Sequence, residues 1–222
     1  MLKLENLYKT YKDKKIFNHT DFEANKGEIV SVIGKSGIGK STLLDIIAGI
    51  KQPDSGSYFY KGQLIDTKKD TQMSIFRNKK IGYILQDFAL IDDYTVMENI
   101  MLPTLYNRNS DNNLESKARE LAYNFELTDI LNKKVKNISG GQKQRVAIIR
   151  SILLNPRIIL ADEPTTNLDK ENFELVVSIL KKMKKRGKII IIATHDERLF
   201  DISDKIYEIN NYKLKLLNTS NS

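Results

Sequence analysis

The sequence predicts an α/β protein with a mostly parallel sheet covered on both faces and a helical stretch inserted in its middle. Three observations carry that expectation. Short apolar runs, interrupted only by Ser31, recur at Ile29–Ile33, Ile158–Ala161 and Ile189–Ala193, as strands buried on both faces require. Segments of helical apolar spacing alternate with them. From about Asp92 to Asn137 the β-branched runs disappear and Val96, Ile100 and Leu105 take up helical spacing.

Taken in order, Met1–Lys12 alternates apolar and polar residues and reads as a strand, with Leu2, Leu4 and Leu7 on one face. Ile16, Phe17 and Phe22 follow, and Gly27-Glu28 makes a turn into the strand Ile29–Ile33, closed by Gly34. Leu43, Leu44, Ile46, Ile47 and Ile50 predict a helix over Lys40–Ile50 packed on the sheet and ended by Gly49 and Pro53. Gly56–Leu64 reads as a hairpin and Ile81–Leu85 as a short strand. Within the helical insertion, a polar loop spans Asn107–Asn113 and a helix spans Leu114–Phe125. Then come a helix over Gln142–Leu154 stopped by Pro156, the strand Ile158–Ala161, a helix over Asn172–Arg186 ended by Gly187, and the strand Ile189–Ala193. The tail Asn218–Ser222 is expected to fray.

Composition excludes several chemistries. At 222 residues the chain can bury a sizeable core without covalent staples. Cysteine is absent, which removes disulfides, zinc–cysteine sites and thiol catalysis. The two histidines, His19 and His195, argue against a histidine-built metal cluster. No run approaches the roughly 18 apolar residues that span a bilayer. With an N-terminus that reads as a strand and not as a signal peptide, the expectation is a soluble, cytosolic chain. The formal charge of +8 suits an anionic partner, but the lysines are spread along the chain. The basic run Lys181–Arg186 falls at a helix C-terminus, where the macrodipole favours cations, so no nucleic-acid partner is expected.

Gly34-Lys35-Ser36-Gly37-Ile38-Gly39-Lys40-Ser41, followed by Thr42, matches a phosphate-binding loop, and it follows an apolar strand and opens a helix. Its glycines let backbone N–H groups turn toward phosphate oxygens, and the helix N-terminus adds partial positive charge. Lys40 can reach β- and γ-phosphates, and the Ser41 hydroxyl can ligate magnesium. Such a loop needs a further acid. The strand Ile158–Ala161 ends in Asp162, suited to magnesium, and Glu163, suited to act as general base on the attacking water.

Ile138-Ser139-Gly140-Gly141-Gln142 opens another helix and makes a second anion-binding N-terminus. One triphosphate needs only one such site, so the second is best explained as serving a nucleotide held by another copy of the chain. With these residues the sequence resembles the ATP-binding cassette (ABC) ATPase family, whose signature is Leu-Ser-Gly-Gly-Gln. The resemblance covers about Leu2 to Leu217 and implies a P-loop NTPase core, an N-terminal antiparallel β-subdomain and an α-helical subdomain inserted at about residues 90–140, all in a single domain over 1–222. It also implies further roles. Tyr11 resembles the aromatic that stacks on adenine, with Tyr8 as the competitor. Gln86 resembles the glutamine that senses magnesium and the γ-phosphate. Asp169, in Asn167-Leu168-Asp169, resembles the loop that crosses the dimer interface, and His195 the switch histidine on the γ-phosphate. His19 matches no motif and reads as structural.

The segments Asp87–Ile91, Thr95–Pro103 and Pro164–Asp169 resemble the small ATPases of the macrolide-exporter, lipoprotein-release and antimicrobial-peptide-resistance group. The departures are Ile138 for leucine, and Thr166 where the group more often has glycine. The resemblance implies ATP and Mg2+ as cofactors, a head-to-tail dimer with a second copy, and a separate transmembrane permease driven from the cytoplasmic face, with export the expected direction. The alternative use of the same ATPase is force transmission or signalling through a membrane protein. A nucleotide kinase would leave Ser139–Gln142 unexplained.

Overall fold

The computed structural model describes residues 1–12, 14–106, 113–166 and 168–219. Asp13, residues 107–112 of the loop predicted over Asn107–Asn113, Asn167 and the last three residues of the tail lie outside the described residues.

The chain opens with β1 (Leu2–Tyr11) and β2 (Lys14–Ala24), an antiparallel pair that turns Leu2, Leu4, Leu7, Phe17 and Phe22 inward. After β3 (Ile29–Ile33) and α1 (Lys40–Ala48), the hairpin β4 (Ser55–Tyr60) and β5 (Gln63–Ile65) completes a four-stranded sheet in the order β2-β1-β4-β5. The remaining elements are α2 (Asp70–Lys80), β6 (Ile81–Ile84), α3 (Val96–Met101), α4 (Leu114–Asn124), α5 (Gly140–Ile152), β7 (Ile158–Asp162), α6 (Lys170–Lys185), β8 (Ile189–Ala193), β9 (Lys205–Asn210) and β10 (Lys213–Thr219). They build a six-stranded sheet, β10-β9-β3-β8-β7-β6. Its neighbours are parallel except for the β9–β10 hairpin.

The central strands are almost wholly apolar because each feeds two cores, with Ser31 of β3 and Asp162 at the end of β7 the buried polar exceptions. Ile158 and Leu160 of β7, with Ile189 and Ile191 of β8, pack toward α1 and the antiparallel sheet. Ile159, Ala161, Ile190 and Ile192 pack on the opposite face against α5, α6 and the helices between β6 and β7. Since β6, β7, β8 and β3 run parallel, their C-terminal ends share one edge of the sheet. In open α/β sheets that edge is where ligands bind.

Several boundaries differ from the sequence reading. α5 starts at Gly140, two residues early, because Ser139 accepts the Gln142 N–H while the Gln142 side chain accepts the Ser139 N–H, a reciprocal cap. α6 starts at Lys170 because Asp169 caps it through the Asn172 N–H at 2.8 Å. Helix α2 and the β9–β10 hairpin were not anticipated. α2 buries only Met73, so its sequence carries little apolar period. The tail stays paired through Asn218 and Thr219 opposite Ile206 and Lys205, where fraying was expected.

Gly82 shows how closely α5 lies on β6. A Cβ there would stand 2.2 Å from the Ser151 carbonyl oxygen and 2.9 Å from Pro156 Cγ. Gly82→Ala is therefore expected to destabilise the fold by roughly 1–3 kcal/mol through overpacking. Urea unfolding measures this, and an unchanged midpoint would contradict the packing.

Candidate active site

The loop after β3 closes on Gly39, at φ 125°, where a Cβ would come 2.7 Å from the Ile16 side chain. Only glycine fits that left-handed backbone and close approach. α1 then begins at Lys40, whose Nζ donates to the Gly34 carbonyl at 2.9 Å and lies 3.6 Å from Glu163 Oε1. Both side chains are nearly buried, at 8% and 9% exposure, which strengthens their attraction relative to a surface pair.

Glu163 follows β7 with φ +48°, an uncommon conformation for a non-glycine residue. Its N–H donates to the Ala193 carbonyl at 2.8 Å, which ties the turn to β8. His195 Nδ1 lies 2.9 Å from Glu163 Oε1, and the Thr194 hydroxyl donates to Oε2 at 3.3 Å. His195 itself is exposed. Behind it, Asp196 accepts from Arg198 through both carboxylate oxygens and from the Thr165 hydroxyl at 2.8 Å. The Arg198 hydrogen bonds hold its pKa at about 2.

Asp162 ends β7 with one carboxylate oxygen, Oδ1, buried and without a hydrogen-bond partner among the described residues. Burial pushes its carboxyl above the usual carboxylate range, opposed by a hydrogen bond from Ser41 and aided by the charges of Glu163 and Asp45.

A cavity of about 650 Å³ joins these groups. Tyr11, Gly34, Lys35, Ser36, Gly37, Gly39, Lys40, Ser41, Thr42, Gln86, Asp162, Glu163 and His195 all line it. Ile38 does not line it. Tyr11, half-exposed at the end of β1, has the ammonium groups of Lys9 and Lys51 at 5.2 and 5.6 Å from its ring centroid. Tyr8, the competing aromatic, stacks instead on His19, whose Nδ1 is 2.9 Å from Asn6 Oδ1. Lys14 and Ile16 also line the cavity and were missed. Their signal was their place on the strand just after Tyr11, but a lysine and an isoleucine in a strand carry no motif.

Ser139, Gly140, Gly141, Gln142 and Asp169 are not among the cavity's lining. They form a second surface, where a Cβ on Gly141 would come 3.0 Å from the Asn172 amide. Helix α5 links the two surfaces: the buried Gln144 side chain donates to the Pro164 carbonyl, just beyond Glu163.

A glycine-rich loop between a parallel strand and a helix, with an acid pair at the end of β7 on the same sheet edge, one strand beyond β8, defines a P-loop nucleotide-binding protein. Residues 17–166 match the ABC transporter family. The lipoprotein-releasing system ATP-binding protein LolD of Bacteroides thetaiotaomicron is 38% identical over 206 residues, 92% of this chain and 94% of LolD. The macrolide export ATP-binding/permease protein MacB of Vibrio parahaemolyticus is 34% identical over 213 residues, 94% of this chain but 33% of MacB. The dimeric bacterial ABC transporter cassette MJ0796 superposes with a TM-score of 0.92 at 33% identity, covering 100% of both chains. A second dimeric structure of MJ0796 is a post-hydrolysis state bound to ADP and Pi, with a TM-score of 0.91. The chain belongs to the ABC transporter family and is an ATP-hydrolysing cassette of the LolD- and MacB-like kind. No helix among the described residues is long and apolar enough to cross a membrane.

Proposed function

We propose that this chain is the ATPase subunit of an export or extrusion system, working from the cytoplasmic face on a separate membrane permease, and that two copies close head to tail on two ATP molecules. The observation that carries the reading is the split between the two surfaces. The cavity gathers the phosphate loop and the acid pair, while the capped Ser139–Gln142 helix start belongs to the other surface. A second copy, turned head to tail, would bring its own Ser139 N-terminus onto the phosphates held by the first.

Within the cavity, the residues suit ATP and Mg2+. Backbone N–H groups of the Gly34–Ser41 loop and the Lys40 ammonium hold the phosphates, and Tyr11 stacks on adenine. Asp162 Oδ1 is a buried oxygen without a hydrogen-bond partner among the described residues, and the Ser41 side chain hydrogen-bonds the same carboxylate, which suits a hard cation. Among the described residues no cluster of three or more acids or histidines could hold a metal unaided, so the nucleotide's own phosphates would complete the site with Ser41, Asp162 and Gln86. Magnesium held there would supply charge neutralisation to the phosphates. Glu163 takes the proton of the attacking water, and His195, hydrogen-bonded to Glu163, keeps that carboxylate aimed while contacting the γ-phosphate.

The test is biochemical. Purified from mild detergent, the chain is expected to bring down one membrane protein, and vesicles containing both should show ATP-dependent substrate flux. A cell-wall hydrolase in the same complex, with no flux, would instead assign the engine to force transmission.

A further inference from the structure

Arg150 sits in the last turn of α5 and reaches across to the loop that follows β6. Its guanidinium donates from Nη2 to the Phe88 carbonyl and from Nη1 to the Ala89 carbonyl, both at 2.6 Å. These are short, charge-assisted bonds to two successive carbonyls. Phe88 and Ala89 are both left-handed, at φ 62° and 44°, a conformation unfavourable for residues with a Cβ. The Phe88 N–H donates to the Leu85 carbonyl at 3.0 Å and closes the turn that contains Gln86. Farther on, the buried Asn99 side chain accepts the Ile91 N–H at 2.8 Å. The Gln86 loop is thus held on one side by Arg150 and on the other by Asn99.

We propose that Arg150 is a positioning residue that latches the Gln86 loop to the helix beginning at Ser139, so that movement of that helix carries Gln86 relative to Asp162 and Glu163. α5 is suited to the task because it spans 13 residues, about 20 Å of rigid rod, with Ser139 capping one end and Arg150 in the other. The strand β6 alone does not hold the loop's shape: its pairing ends at Ile84, opposite Ala161, and the strained turn comes after it. Without the guanidinium, Phe88 and Ala89 are free to leave the left-handed region and Gln86 loses its set position. The proposal rests on the reading of Gln86 as a residue that engages magnesium or the γ-phosphate.

A double-mutant cycle on the full chain tests it, with Arg150→Met, Gln86→Ala and both together, reading kcat and KM for ATP by phosphate release. Arg150→Met is expected to lower kcat about tenfold with KM changed less than about threefold, and to add no further loss on the Gln86→Ala background. Amide exchange at Phe88 and Ala89 should speed up in Arg150→Met. Arg150→Lys, which keeps a charge but not the paired donors, should recover part of kcat, and it carries the cycle if the methionine variant does not fold. Losses that multiply in the double mutant would overturn the latch, as would wild-type kcat in the Arg150 variants beside an impaired Gln86→Ala. Wild-type kcat in Gln86→Ala alone would instead remove the reading of Gln86, and the latch with it.

Discussion

Glu163→Gln is expected to lower ATP turnover by about 10²–10⁴-fold while leaving ATP binding within a few-fold of the parent. The carboxylate is nearly buried, 2.9 Å from His195 Nδ1 and 3.6 Å from the Lys40 ammonium. Glutamine keeps the shape and one acceptor oxygen, so the turn at φ +48° and its bond to Ala193 have no reason to move. What it lacks is a basic site for the proton of water. The phosphate loop and Tyr11 are untouched, which is why affinity persists. With the chemical step blocked and binding intact, the ATP-bound pair should accumulate as a dimer in size-exclusion chromatography. Phosphate release at the parent's rate would remove Glu163 as the base.

Ser139→Arg is expected to abolish hydrolysis, by about a hundredfold or more, without removing nucleotide binding, because in the proposed head-to-tail pair the substitution would place a bulky cation at a helix start facing the other copy's nucleotide. Losing the serine cap also costs about 1 kcal/mol of helix stability, too little to unfold a domain. The decisive form of the experiment is mixing. A Ser139→Arg chain has a sound phosphate loop, and a Lys40→Met chain has a sound signature helix. Combined, they should regain turnover through one complete site assembled from the two, although each is inactive alone. No recovery on mixing, with both proteins folded and dimerising, would contradict a shared site.

Much of this was legible in the sequence, and the reason differs by element. The strands β3, β7 and β8 announced themselves because burial on both faces makes nearly every position apolar, with Ser31 and the strand-end Asp162 the exceptions. The phosphate loop was legible because backbone cradling demands glycine at set spacing. Gln86, Glu163 and His195 each follow a strand end, so the parallel order of β6, β7 and β8 brings together residues far apart in the chain. Helix α2 was hidden because most of it faces water. Lys14 and Ile16 were hidden because a wall residue is defined by where a hairpin places it. Arg150 was hidden for a similar reason: an arginine late in an amphipathic helix looks like a solvated helix end until Phe88 and Ala89 turn their carbonyls toward it.

The separation of the Ser139 surface from the cavity bears on where the enzyme can work. On that arrangement a solitary chain carries two incomplete halves, and its turnover in dilute solution grows with the square of its concentration. A membrane protein that docks two copies side by side replaces that dependence with a local effective concentration, in the millimolar range for closely tethered partners. The same chain is then idle when free and active when mounted, which restricts ATP consumption to places where a transport path exists to use it.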